Sequence, residues 1–183
     1  MDRKTPSSQG GGTAFFLLGL ILSLGVGWFV FPQVLYSEKQ QPFNFSHPAH
    51  VENAGMSCED CHFFRDDGSY AGYPTLEKCA ECHAAPQTDN PDEAKFVAEY
   101  VEKGKEVPWL TYQYQPDNVF FSHIAHNAFD CTDCHPDVAK MDKTPTYYQN
   151  RLSGYSKQTM KMWQCERCHA ENGVSNACFV CHK

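Results

Sequence analysis

The 183-residue sequence predicts a mostly irregular and α-helical domain, cored by prosthetic groups and carried on one N-terminal transmembrane helix. Three observations predict it. All ten cysteines fall in five Cys-x-x-Cys-His units: Cys58/Cys61/His62, Cys79/Cys82/His83, Cys131/Cys134/His135, Cys165/Cys168/His169 and Cys178/Cys181/His182. The stretch "AFFLLGLILSLGVGWFVF" at 14–31 is apolar apart from Ser23 and its glycines. Two segments, "FNFSHPAHVENAGMSCEDCH" at 43–62 and "VFFSHIAHNAFDCTDCH" at 119–135, share one skeleton. Each reads Phe-Ser-His-x-x-His, then a short gap, then Cys-x-x-Cys-His.

The apolar run comes first in the chain. Eighteen residues at ~1.5 Å each span ~27 Å, about the thickness of a hydrocarbon core. Pro32 closes the run, and Trp28 and Tyr36 lie where a membrane interface favours them. A cleaved signal peptide is the alternative. The run is longer than the usual h-region, however, and no small-x-small cleavage site follows in "PQVLYSEKQQ". Residues 14–36 are therefore expected to be a retained signal anchor. Arg3 and Lys4 precede it against one acid, Asp2, which places residues 1–13 in the cytoplasm and 37–183 in the periplasm. Gly19, Ser23 and Gly27 share one helix face, a stripe of small residues suited to a neighbouring helix.

The cysteine units carry the chemistry. Cys-x-x-Cys-His is the attachment signature of c-type haem. Two thiols add to the two vinyl groups of one porphyrin, and the adjacent imidazole binds the iron as proximal ligand. Zinc sites pair Cys-x-x-Cys units, so five units would leave one unpaired. A disulfide scaffold has no reason to place His after every second cysteine. The sequence therefore predicts five covalently attached haem c groups.

Nine histidines are present, five of them proximal. The other four, His47, His50, His123 and His126, all lie in the repeated Phe-Ser-His-x-x-His frame. They can complete four six-coordinate haems. One haem is short of an imidazole, and it is expected among the last three units. Met160 or Met162, just before Cys165 in "TMKMWQCERCH", is a candidate thioether ligand. Such a ligand would raise the reduction potential relative to bis-His neighbours.

The repeat divides the exported part into units 43–83 and 119–182, joined by 84–118. In the joining segment, "NPDEAKFVAEYVEKGKE" reads as a helix. Asn90 is its N-cap, Pro91 its first residue, Glu93 the far side of a capping box and Gly104 its end. Phe96, Val97, Tyr100 and Val101 share its apolar face. The following "VPWLTYQYQPDN" reads as an extended connection whose rings cover haem edges. Short helices are expected from Thr75 to Cys82 and from Ser156 to Cys168. Residues 136–164 read as a long polar loop. Beyond residue 36 there are 13 Lys and Arg against 21 Asp and Glu. That balance excludes nucleic acid and favours a basic soluble redox partner.

The repeated Phe-Ser-His-x-x-His…Cys-x-x-Cys-His pattern resembles the class III multihaem cytochromes. The resemblance implies that the first histidine of each pair is distal ligand to the haem just downstream. His47 would then serve the Cys58/Cys61 haem and His123 the Cys131/Cys134 haem, with His50 and His126 reaching other haems. Phe63 and Pro136 stand where some members carry a further histidine. Five units and one N-terminal span also look like the multihaem subunits of menaquinone reductase (Qrc) complexes, and are similar to the pentahaem subunits of alternative complex III. That likeness implies an iron–sulfur subunit, a molybdopterin-family-like subunit and a polytopic quinone-binding subunit as companions. It also implies a soluble basic periplasmic cytochrome c as donor, and a relay with no catalytic residue of its own. Two other functions compete. One is a quinol dehydrogenase that itself oxidises menaquinol and feeds a periplasmic reductase. The other is a multihaem reductase working at an open iron. No Lys replaces a proximal His, and no residue set resembles a proton-delivery site.

Overall fold

The computed structural model describes residues 9–69 and 71–182, so most of the expected cytoplasmic tail lies outside the described residues. Helix α1 (Gln9–Gly25) passes through a wider π-type turn at Val26–Val30 into α2 (Phe31–Leu35). Pro32 does not stop this helix. It lacks an N–H and crowds the carbonyl four residues back, and the widened turn just before it absorbs both defects. The apolar helix therefore runs Gly11–Leu35, with mean hydropathy 2.3 and none of it buried in the chain.

Strand β1 (Tyr36–Lys39) follows the helix directly. It pairs antiparallel with β2 (Tyr147–Asn150), Tyr36 opposite Asn150 and Lys39 opposite Tyr147. This corrects the long-loop expectation for 136–164. The segment "YYQN" suits a strand, but its partner lies just after the apolar helix, more than a hundred residues away in sequence. The Lys157 ammonium sits 5.6 Å from the ring centres of both Tyr36 and Tyr148, reinforcing the pair.

Helix α3 (Leu76–His83) starts at Thr75. Helix α4 (Pro91–Phe96) is capped by Asn90, whose side chain accepts the Asp92 N–H at 2.9 Å. It continues through a π-type turn at Val97–Val101 and ends at Gly104, whose φ of +57° closes the last turn. Phe96, Val97 and Tyr100 pack with Phe43, Leu76 and Val107 in a single small cluster, with Phe45, Val101 and Trp109 against it. The Phe43 ring lies 5.1 Å from Phe96 and 5.0 Å from Trp109. The aromatic connection after this helix thus engages protein rings: Trp109 on Phe43, Tyr112 on Tyr147 and Tyr114 on Tyr155.

Helices α5 (Cys131–Cys134), α6 (Met162–Glu171) and α7 (Cys178–Cys181) carry the last three cysteine units. Helix α6 begins at Met162, later than the expected Ser156. The preceding residues are held in irregular backbone by buried Ser156 and Thr159, and the Thr159 hydroxyl donates to the Tyr114 carbonyl at 3.2 Å. Among the described residues, 119–135 and 160–182 contain no buried hydrophobic side chain.

Candidate haem-ligating histidine pairs

Each cysteine unit sits on one helical turn or its edge. The histidine N–H donates back to the carbonyl of the first cysteine: His62 to Cys58 at 2.8 Å, His135 to Cys131 at 2.9 Å and His182 to Cys178 at 2.9 Å. Residues three and four apart share a helix side, so this turn presents both thiols and the imidazole together. All ten thiols are free and none is buried. Among the described residues no three His, Cys, Asp or Glu side chains converge into a cage for a bare metal ion.

The Phe-Ser-His-x-x-His segment has the same build in both copies. Phe45 meets His47 edge-on at 4.8 Å and stacks on His50 at 4.5 Å. Phe121 meets His123 edge-on at 4.7 Å and stacks on His126 at 4.7 Å. The serine turns the chain: Ser46 Oγ accepts the Ala49 N–H and Ser122 Oγ accepts the Ala125 N–H. One phenyl ring thus orients two imidazoles at once.

Each of these four histidines lies beside a different proximal histidine. The His123 and His135 rings are 6.3 Å apart and 7° from parallel, and His126 and His169 are 6.1 Å apart and 13° from parallel. His50 and His83 are 5.9 Å apart, tilted by 52°. Burial lowers the pKa of His47, and nearby His62 and then His50 lower it further, so His62 lies in the neighbourhood of His47. Partial desolvation likewise lowers His135, helped by His123 and then His62. An iron between two imidazoles needs two metal–nitrogen bonds of about 2 Å plus half a ring on each side, about 6 Å between ring centres. The spacing fits a bis-His haem, and the lowered pKa values favour the neutral, ligating imidazole.

The outer nitrogens are also committed. The Nδ1 atoms of His50 and His126 bond the carbonyls of Ser46 and Ser122, both at 2.8 Å. His62 uses Gly72, His123 uses Ser69 and His182 uses Asn118, at 2.9, 3.0 and 3.2 Å. A carbonyl requires Nδ1 to carry the proton, which leaves the Nε2 lone pair for a metal.

Residues 31–108 match the class III cytochrome c family. Over 191 aligned positions the chain is 59% identical to the menaquinone reductase multihaem cytochrome c subunit of Nitratidesulfovibrio vulgaris strain Hildenborough, covering 94% of this chain and 91% of that protein. The chain belongs to this family of class III multihaem c-type cytochromes. Its work is electron transport, and haem c covalently bound through Cys-x-x-Cys-His is the family's cofactor.

One residue of the cytochrome was misread in the sequence. Glu93 does not close a capping box with Asn90. Its carboxylate accepts the Nδ1–H of His83 at 2.8 Å, the N–H groups of Gln87 and Thr88 at 2.8 and 2.9 Å, and the Thr88 hydroxyl. Burial pushes its pKa up, since the side chain is only 10% exposed. The bonds from Thr88, Gln87 and His83 outweigh burial and hold the pKa at about 2. His83 is therefore backed by a full negative charge where the other bonded rings have a carbonyl. A glutamate ten residues after a proximal His was the only clue, and the stronger helix-start signal at Asn90 masked it.

The units also have an order in space. Burial raises the Cys79 thiol, with Cys61 next among its causes. Cys131 is raised by burial and then by Cys58, Cys134 by burial and then by Cys168, and Cys165 by burial and then by Cys181. Neighbouring thiols thus run from the Cys79/Cys82 unit through Cys58/Cys61, Cys131/Cys134 and Cys165/Cys168 to Cys178/Cys181. His182, at the far end, is the proximal histidine that none of the four repeat histidines faces. Met160 is half-buried, and Met162 is 63% exposed at the start of α6.

A first prediction concerns His126, which lies against His169 and not against its own downstream His135. His126→Ala is expected to convert the haem on Cys165/Cys168, and not that on Cys131/Cys134, to a high-spin, carbon monoxide-binding form. Visible and magnetic circular dichroism spectra of the intact haem-loaded protein check this.

Proposed function

We propose that this cytochrome is a pentahaem relay subunit. It passes electrons between a soluble basic periplasmic cytochrome c and a quinone-reducing membrane complex. Its site is built from thioether attachment at the ten cysteines and from proximal His62, His83, His135, His169 and His182. The distal set is His47 for the Cys58/Cys61 haem, His50 for Cys79/Cys82, His123 for Cys131/Cys134 and His126 for Cys165/Cys168. The ring spacing of 5.9 to 6.3 Å in three of these pairs is the observation that carries the reading. When bound, haem c supplies reversible one-electron chemistry.

The chain's own residues do the rest. The phenylalanines hold paired imidazoles, the carbonyls fix their tautomers, and the contiguous units keep successive redox centres adjacent. The odd haem is assigned to Cys178/Cys181, at one end of the row, with its sixth position filled by Met160 or Met162 or left open. Residues 1–13 are cytoplasmic, 14–36 anchor the chain in the inner membrane, and 37–183 are periplasmic. The relative is named as a menaquinone reductase subunit. By that likeness the partners are iron–sulfur, molybdopterin-family-like and polytopic quinone-binding subunits, and quinone chemistry lies outside this chain.

Purification from membranes in mild detergent tests the reading. Large iron–sulfur and polytopic subunits in fixed ratio are expected to accompany the cytochrome. Quinol oxidation by this chain alone would overturn the relay in favour of a quinol dehydrogenase. The second prediction is that carbon monoxide binds rapidly to one haem in five. Methionine-to-leucine changes at 160 and 162 should raise the rate if a thioether guards that iron and leave it unchanged if the position is open.

A further inference from the structure

We propose that the turn at 150–155 is a lipid-contact site, seating Leu152 in the bilayer headgroup region beside the end of the anchor. The haem domain is thereby set at a fixed attitude to the membrane. The inference rests on the anchor reading above.

The ladder geometry carries it. Strand β1 leaves the apolar helix upward, and β2 returns antiparallel, so Asn150 lies level with Tyr36. The chain then continues downward past that level. The Arg151 N–H donates to the carbonyl of Leu35, the last residue of the apolar helix, at 2.8 Å. That carbonyl is one of the acceptors a helix end leaves without an intrahelical partner. The turn tip therefore sits beside the bottom of the strand pair, at the depth of Val34 and Leu35. From Leu35 to Trp28 is seven residues, or about 10 Å of helix, so the tip lies one interfacial layer above the indole.

The tip is built to hold its shape. Asn150 Oδ1 accepts the N–H groups of Leu152 and Ser153 at 2.9 and 3.0 Å, and the Asn150 carbonyl accepts that of Gly154 at 2.9 Å. Gly154 has a φ of +78°, which other residues rarely adopt. The Asn150 N–H donates to Tyr155 and the Lys157 N–H to Tyr148, so the chain climbs away as a third strand-like segment. Leu152 is left 79% exposed, among the described residues the most exposed large hydrophobic side chain beyond the apolar helix. Arg151 flanks it, and Lys157 lies over Tyr36 and Tyr148. An apolar tip ringed by cations and tyrosines, continuous with a membrane span, matches an anionic lipid surface.

Photo-cross-linking of the full-length haem-loaded protein tests this. The vesicles are phosphatidylethanolamine and phosphatidylglycerol with a phospholipid bearing a diazirine near its glycerol. Mass spectrometry is expected to find lipid adducts on Arg151–Ser153 together with Trp28–Tyr36. Adducts on the helix alone would overturn the proposal and leave the anchor intact, whereas none on the helix would overturn the anchor itself. Leu152→Asp, at an exposed position, should cut adducts at 151 and 153 about tenfold, with helix adducts and haem spectra unchanged. Undiminished adducts in that variant would overturn the role given to Leu152. In native membranes, a tip that cross-links to another protein and never to lipid would overturn the choice of occupant.

Discussion

Production of the full chain in cells without covalent haem attachment is expected to give an unfolded, protease-sensitive polypeptide. The loss should be total for residues 119–182. Among the described residues the one sizeable apolar cluster gathers Phe43, Leu76, Phe96, Val97, Tyr100 and Val107, all outside that unit. Within 119–182 the buried residues are Tyr147, Ser156 and Thr159, all in the segment that begins with strand β2. Among the described residues no side chain on α5, α6 or α7 is buried, so we expect their mutual positions to depend on ligation between them. The chain exposes 13769 Å², against about 8,900 Å² for a compact monomer of 20.7 kDa. The unpartnered apolar helix accounts for part of the excess. Far-ultraviolet circular dichroism and limited proteolysis of the haem-free chain read the outcome. A cooperative thermal transition in that chain would contradict it. Metal-dependent domains behave this way when ligation free energy is folding free energy.

Glu93→Gln is expected to raise the reduction potential of the Cys79/Cys82 haem by about 60 mV or more, a tenfold change in its one-electron equilibrium. The carboxylate draws the Nδ1 proton of His83 and pushes electron density toward Nε2, which would favour the oxidised state of an iron held there. Glutamine preserves an acceptor in nearly the same volume, so the ring stays oriented while the charge is lost. Potentiometric titration followed by visible spectroscopy checks the shift. A purely structural role for Glu93 would loosen the loop at Gln87 and Thr88 and leave the potential unmoved. Because the Glu93 pKa is held at about 2, the wild-type carboxylate stays charged throughout the working pH range, and its effect on this haem should not vary with pH there.

The family and the long apolar helix were legible because their signals are local. Cys-x-x-Cys-His fits on one helical turn, and an apolar run needs no partner to be recognised. The Phe96, Val97 and Tyr100 face was legible for the same reason. What stayed hidden depends on distant pairing. Strand β2 exists because Tyr36–Lys39 lies beside it, and nothing within 136–164 announces that neighbour. Glu93 looked like a cap because a helix does start at Asn90, yet its charge is spent on His83. Pro32 looked like an end because the relief of its clash comes from a turn type that local pattern does not reveal. That His50 and His126 reach beyond the cysteine unit just downstream was already implied by the resemblance; which proximal ring each one neighbours, His83 for His50 and His169 for His126, waited on ring positions.

The phenyl ring shared by two imidazoles has a consequence for length tolerance. In each copy the ring, the serine turn and both histidines occupy six consecutive residues, so any insertion between the histidines would pull one ring off the phenyl face. The spacer from the second histidine to the first cysteine obeys no such limit. It is seven residues long after His50 and four after His126, and the clasp is the same in both. On the proposed ligation, each copy would act as a portable rivet that joins two redox centres at either of these two spacer lengths.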